Sequence, residues 1–218
     1  GRQLTMGIAG GLIKHLGLQM YSGAVPAIAE LIANAWDAMA KNINVEVPFD
    51  KSFETTDKIV VKDDGHGMTF KECEKNYLLV GRDRRKEEGD YSRKFGNLSQ
   101  RKVMARKGIG KLSGFGIANR IEVRTVKDGE VTHFALDFDA MTKSGKFIED
   151  YHPEMLFEDG KKTQEPSGTT ITLTQIKISR AIGADSFHTS MVRRFTILSD
   201  TNFSVFVNGE RLTKSELA

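Results

Sequence analysis

Between Gly23 and Lys41 the polar residues Glu30, Asn34 and Asp37 stand at i, i+4 and i+7, surrounded by Leu31, Ile32, Ala33, Ala35 and Ala38. At about 100° per residue those three groups share one helical face, and the apolar remainder is free to be buried. The pattern predicts a helix over about 24–41, with Ser22 near its cap and Pro26 in its first turn. Strands are predicted near 43–48 and 58–63, the second from the unbroken β-branched run Ile59-Val60-Val61, followed by a helix near 70–79 and a short one after Gly110. Segments near 120–126, 131–138 and 168–175 alternate as a half-buried sheet does. A helix near 185–199 sets Phe187, Met191, Phe195 and Leu198 along one side, and Asn208-Gly209 after Phe203–Val207 signals a hairpin. There is no internal repeat and no low-complexity linker. These elements predict an α+β two-layer sandwich: helices on one face of a mixed, mainly antiparallel sheet.

Four segments carry candidate chemistry. A carboxylate, a carboxamide and a second carboxylate lined up on an otherwise apolar helix are costly unless something polar faces them. A hydrated metal ion and a water to be deprotonated would do so; a solvated amphipathic stripe is the alternative. Asp63-Asp64-Gly65-His66-Gly67-Met68 closes the second strand, and its glycines permit positive φ and close approach to a ligand. The Asp63 carboxylate there suits an exocyclic amino group, although a tight Asp-Gly turn has the same pattern. Lys107-Gly108-Ile109-Gly110-Lys111 opens a helix whose exposed N–H groups favour a polyphosphate, or it is simply a close-packed helix start. It is not a P-loop, because Ala105 and Leu112 occupy two of that motif's fixed positions. Ser167-Gly168-Thr169 leads into the strand near 168–175.

In this order the four segments resemble the GHKL ATPase superfamily of gyrase B subunits, heat-shock chaperones, histidine kinases and MutL proteins. The resemblance covers about residues 15–208, and His15-Leu16-Gly17 with Tyr21-Ser22 looks most like microrchidia-type and bacterial chaperone-like members. It implies the Bergerat ATP-binding fold with ATP and Mg²⁺ as cofactors. By the same resemblance, Asn34 holds Mg²⁺ and Glu30 orients and deprotonates the attacking water. Asp63 takes the adenine amino group, with Gly65, Gly67 and Met68 in the same pocket and Asp37 along its wall. Gly108, Ile109 and Gly110 face the phosphates, and Thr169 helps hold adenine through a water. Many relatives carry a further glycine where this chain has Ala105. Lys111 either reaches the phosphates or faces solvent. The function implied is Mg-dependent ATP binding and slow hydrolysis, coupled to lid closure and dimerisation, in a longer chaperone-like or DNA-remodelling protein. A histidine-kinase-type catalytic domain and a non-hydrolysing ATP sensor are the alternatives.

Charge sharpens one element. Residues 81–107 hold ten Lys and Arg against four Asp and Glu, a net of +6, while the whole chain is +3. This segment is expected to be the ATP lid, mobile when empty. A nucleic-acid-binding loop is the competitor, but Tyr91 is its one aromatic before Phe95, a poor stacking platform. Residues 1–20 are expected to form a mobile arm that crosses to a partner subunit, 21–210 the ATP-binding domain, and 211–218 the start of a following region. The one cysteine, Cys73, suits a reducing compartment, and no run reaches the length of a membrane span. With no signal-peptide pattern at the start, a cytoplasmic location is expected. Partners beyond ATP, whether a protein client or DNA, are expected to bind through regions outside this segment. His66 reads as a tolerated variable position in the glycine turn.

Overall fold

The computed structural model describes residues 1–8, 23–80, 89–104, 110–143, 146–148, 150–195 and 202–213. Among the described residues, twelve strands lie in chain order: β1 (Gly7–Ile8), β2 (Asn42–Glu46), β3 (Ile59–Asp63), β4 (Leu79–Val80), β5 (Ala118–Lys127), β6 (Glu130–Asp137), β7 (Thr142–Lys143), β8 (Lys146–Phe147), β9 (Glu154–Met155), β10 (Gly168–Ile176), β11 (Ser204–Val207) and β12 (Glu210–Arg211). Eight of them form one sheet in the order β12-β11-β2-β3-β10-β5-β6-β9. Its pairings are antiparallel except for β11 with β2. The helices are α1 (Ala24–Asp37), α2 (Phe70–Glu72), α3 (Phe138–Met141) and α4 (Ala184–Arg194), with a 3₁₀ helix over Gly110–Gly116. This is the expected α+β arrangement, with a mixed, mainly antiparallel sheet.

Helix α1 is the hub of the core. Ile28, Leu31, Ile32, Ala35 and Trp36 are buried and pack in one cluster with Ile43, Val45, Ile59, Val61 and Leu173 of the sheet. The helix ends at Asp37, four residues before the predicted boundary, because the chain reverses there: Met39 takes a φ of 62° and its N–H donates to the Trp36 carbonyl at 3.0 Å. The predicted 70–79 helix also shortens. Thr69 and Glu72 form a capping box, Cys73–Tyr77 widens into a π turn, and Leu79–Val80 becomes β4. The helix after Gly110 is a tight 3₁₀ helix pressed onto the sheet, where a Cβ on Gly114 would stand 2.6 Å from Leu173 Cδ2. Helix α4 occupies the first part of its predicted range, burying Phe187 and Met191; 196–200, including Leu198, lie outside the described residues. Asn208 and Gly209, at φ 49° and 87°, make the β11–β12 turn, so the hairpin signal is met by a two-residue second strand.

Two segments expected to be mobile make contacts with the body of the domain. Residues 1–8 do not lie loose. Leu4 and Met6 are buried, β1 pairs parallel with β4, and Arg2 bridges to Asp159 at 2.8 Å and Glu130 at 2.5 Å over the Phe70 ring. The rest of the predicted arm lies outside the described residues. Within the predicted lid, residues 89–104 are anchored to the body, while 81–88 and 105–107 lie outside the described residues. Trp36 donates its indole N–H to the Lys102 carbonyl at 3.0 Å. Arg101 is buried and donates to the carbonyls of Trp36 at 3.1 Å, Ala40 at 2.7 Å and Asn202 at 2.9 Å. Its guanidinium also lies 4.2 Å from the Trp36 ring centroid and 5.4 Å from that of Phe203. A cation at a helix C-terminus meets both the dipole and carbonyls that have no intrahelical donor.

Replacing Arg101 by Met leaves those three carbonyls without this donor. Urea unfolding is expected to show a loss of about 2–4 kcal/mol, with Arg101→Lys recovering only part of it because a single ammonium cannot reproduce the fork. A loss below about 0.5 kcal/mol for Arg101→Met, the range of an ordinary surface change, would refute this anchoring role.

Candidate functional site

One cleft collects most of the residues singled out from the sequence. Asn34 and Asp37 of α1, Asp63 at the end of β3, Gly67 and Met68 of the following turn, Gly110 and Lys111 of the 3₁₀ helix, and Thr169 of β10 all line it. Leu31, Val61 and Ile171 supply apolar wall. The helix periodicity explains the first pair, since Asn34 and Asp37 lie one turn apart on the face turned away from the packed residues. Glu30, one turn earlier, is half-buried behind Gly110. A Cβ at position 110 would come within 2.5 Å of Glu30 Oε2, so only glycine leaves that carboxylate its place. Gly108 and Ile109 lie outside the described residues.

The Asp63 end of the cleft is built by backbone contact. Asp63 faces Thr169 in the β3–β10 register, and its Oδ1 accepts from Gly65 N at 2.8 Å. Burial is the main influence on Asp63 and pushes its carboxyl up to about 7, against the N–H donors of Gly65 and Thr169 that favour the ionised form. Gly67 has a φ of 66°, and a Cβ there would strike the Val126 carbonyl. Met68 N donates to Thr125 Oγ1 at 2.9 Å, and that hydroxyl meets Thr169 Oγ1 at 2.9 Å. Gly65 does not line the cleft. It packs behind it, where a Cβ would lie 2.5 Å from the Ala38 carbonyl, and its own carbonyl accepts from Ser167 Oγ at 2.9 Å. His66 N donates to the same Ala38 carbonyl at 2.9 Å, joining the glycine turn to the end of α1.

Two polar groups have duties that spacing could not show. Asp37 is buried, and its Oδ1 accepts from Met104 N at 2.7 Å, so it ties the anchored 89–104 segment to the cleft wall. Lys111 does not face open solvent. Its ammonium donates to the Asn76 carbonyl at 2.5 Å and lies 5.6 Å from the Tyr77 ring centroid, inside the cleft lining.

The sequence reading missed a group of lining residues: His66, Glu72, Asn76, Tyr77 and Arg93. His66 is not an idle variable position. Its Nδ1 sits 2.7 Å from the Gly67 carbonyl, its ring meets Phe95 edge-on at 6.1 Å, and burial, with Lys127 and Arg93 nearby, holds its pKa below the usual value. Glu72 was findable, since Thr69 and Glu72 spell a capping box. Burial alone would raise its pKa. The Lys127 ammonium at 2.7 Å, the Thr69 N–H at 3.1 Å and the Arg93 guanidinium outweigh that and bring it down to about 2. Arg93 had no distinguishing signal among ten basic residues.

The cleft thus combines a buried carboxyl at Asp63, glycine-lined backbone at Gly67 and Gly110, and the polar face of an Asn-bearing helix. Comparison with known proteins supplies the family. Residues 21–169, more than half of the chain, match the family described as "Histidine kinase-, DNA gyrase B-, and HSP90-like ATPase". A protein of Herpetosiphon aurantiacus named "Putative type II restriction enzyme HgiDII" is 32% identical over 208 residues, which cover 94% of this chain and 31% of that protein. The chain therefore spans about a third of the length of this relative. Among the described residues, no helix is long and apolar enough to cross a membrane. The chain belongs to the histidine kinase-, DNA gyrase B- and HSP90-like ATPase family, and membership implies ATP binding.

Proposed function

We propose that this domain binds Mg-ATP in the cleft and hydrolyses it slowly, as the ATP-driven part of a longer protein that acts on DNA. The observation carrying the proposal is the convergence of Asn34, Asp37, Asp63, Gly67, Gly110 and Thr169 on one cavity, from four separate segments of the chain. In this reading the Asp63 carboxylate accepts from the adenine amino group, and Thr169 supports it from the paired strand. Gly110 brings backbone toward the phosphates. Asn34 offers the side-chain oxygen that would hold Mg²⁺, an ion content with one or two protein oxygens when phosphate and water complete its shell. When bound, the ion supplies charge neutralisation to the transferring phosphoryl group. Glu30, one turn from Asn34 and against Gly110, orients the attacking water and takes its proton. Lys111 adds positive charge at the Gly110 end.

The DNA-acting context rests on the printed name of the Herpetosiphon relative, which is about three times as long as the aligned segment. A lid role for the part of the 89–104 segment before its anchored end at Arg101–Met104 rests on the family resemblance, on the placement of Arg93 in the cleft lining and on that of Phe95 against His66. Self-association on ATP binding rests on the family resemblance. Light scattering with a non-hydrolysable ATP analogue is expected to double the mass of the domain, and a monomer with and without nucleotide would count against it.

Calorimetry is expected to detect Mg-ATP binding to the domain and a loss of at least about tenfold in affinity for Asn34→Ala, the size of one missing metal or charge-assisted contact. Glu30→Ala is expected to keep binding while hydrolysis falls by about 10²-fold or more. Unchanged turnover in Glu30→Ala removes the general-base assignment, and equal absence of turnover in the unsubstituted domain favours an ATP sensor.

The raised Asp63 pKa has a definite sign. Between about 4 and 7 the unfolded chain has released this proton while the empty folded domain still holds it, so stability falls as pH rises through that window and levels off above it. Urea midpoints measured from pH 4.5 to 8 are expected to show this decline in the nucleotide-free domain and to lose that component in Asp63→Asn. Identical pH profiles for the two proteins would rule the effect out.

A further inference from the structure

Resting on the ATP-binding reading above, we propose that Arg93 caps the nucleobase: its guanidinium, oriented by Glu72, covers the base of the bound nucleotide at the mouth of the cleft. Among the described residues, Arg93 and Lys111 are the Arg and Lys side chains that line the cleft. They have different partners. Lys111 follows Gly110 and bonds the Asn76 carbonyl. Arg93 is held to the turn that carries Asp63, Gly67 and Met68 by two contacts. It pairs with Glu72, whose carboxylate also accepts from Thr69 N, the residue after Met68. Two residues on, Phe95 packs edge-on against His66 of the same turn. The Arg93 guanidinium is therefore stationed beside the residues proposed to hold the base.

The surroundings of Glu72 suit an orienting role. Its backbone is fixed by the capping box with Thr69, and Lys127 contacts the same carboxylate at 2.7 Å. Burial opposes its charge, yet these partners keep it ionised, so a carboxylate is present to hold the guanidinium throughout the physiological range. Lys127 gives Glu72 a second cationic partner besides Arg93. The Arg93 and Glu72 side chains are 46% and 19% exposed, which makes their pairing adjustable rather than rigid. A planar guanidinium held by one edge leaves its face available, and an aromatic heterocycle is the ligand that uses such a face. Leu31, Val61 and Ile171 give the same cleft apolar wall against which a flat ring can pack.

Calorimetric titrations with adenosine, ADP and Mg-ATP test this on the unsubstituted domain, Arg93→Ala, Glu72→Gln and the double variant, with thermal unfolding as a check on folding. Arg93→Ala is expected to weaken all three ligands by the same factor, about tenfold, as one partly desolvated cation–π contact would. Glu72→Gln keeps an acceptor for the Thr69 N–H and is expected to weaken them about threefold. In the double variant the loss is expected to equal that of Arg93→Ala, because Glu72 acts through Arg93. Loss confined to Mg-ATP would overturn the proposal by making Arg93 a phosphate ligand, and no loss with any ligand would overturn it outright. Additive losses in the double variant would overturn the orienting role of Glu72. Absence of binding by the unsubstituted domain would defeat the ATP-binding reading itself, a result distinct from selective failure of the Arg93 variant.

Discussion

Helix α1 must be buried on most of its surface while carrying Glu30, Asn34 and Asp37 in a row. Its apolar side chains pack in one cluster with the sheet and with Phe187 and Met191 of α4, while Asn34 and Asp37 of the polar row line the cleft. The C-terminal end of the helix is then the difficult part. A buried carboxylate at Asp37 sits where the helix dipole is unfavourable to it, next to carbonyls with no intrahelical partner. The 89–104 segment answers both problems, since Met104 N meets Asp37 and the Arg101 guanidinium meets the Trp36 and Ala40 carbonyls. The same guanidinium reaches Asn202, just before β11, so the helix end, the basic segment and the last strand of the core are held as one unit. Asn34 and Asp37, which line the cleft, sit on a helix whose end is fixed by this arrangement.

The charges around the cleft are divided rather than pooled. Asp63 is kept among apolar side chains and backbone donors, where burial favours its proton; Glu72 is surrounded by Lys127, Arg93 and an N–H donor, where ionisation wins. Two carboxylates on one lining thus have opposite tendencies for reasons visible in their neighbours. A neutral or readily neutralised acceptor suits a base, and a permanently charged one suits the positioning of an arginine. The glycines serve a separate purpose. Gly67, Gly110 and Gly65 stand where a methyl group would collide with Val126, Glu30 and Ala38 respectively, so backbone and carboxylate reach positions that side chains would deny them.

Much of the fold was legible because its elements have strong periods. The alternation of β5 and β10 and the one-sided polarity of α1 survive in the structure with ends displaced by a few residues, as expected when caps and reversals decide boundaries, whereas β6 departs from the expected half-buried alternation and is buried on both faces from Val131 to Leu136. The π turn over Cys73–Tyr77 and the 3₁₀ geometry of Gly110–Gly116 were not legible, because both follow from how closely the backbone approaches its neighbours. The docking of residues 1–8 was likewise hidden. Arg2 looks like any terminal basic residue until Asp159, Glu130 and Phe70, distant in the chain, are brought beneath it.

By itself the sequence determined the family, the sheet-and-helix plan, and the residue types that converge on the cleft. These are properties of local spacing: a 3.6-residue period puts Asn34 and Asp37 on one face, and paired glycines mark the places where backbone must come close. Only the tertiary structure decided what each of them touches. Asp37 holds Met104, Gly65 sits behind the cleft, Lys111 lies within it, and His66, Glu72 and Arg93 join its rim. Those contacts link residues far apart in the chain, and their energies come from burial and neighbouring charge, which exist only after the sheet has assembled.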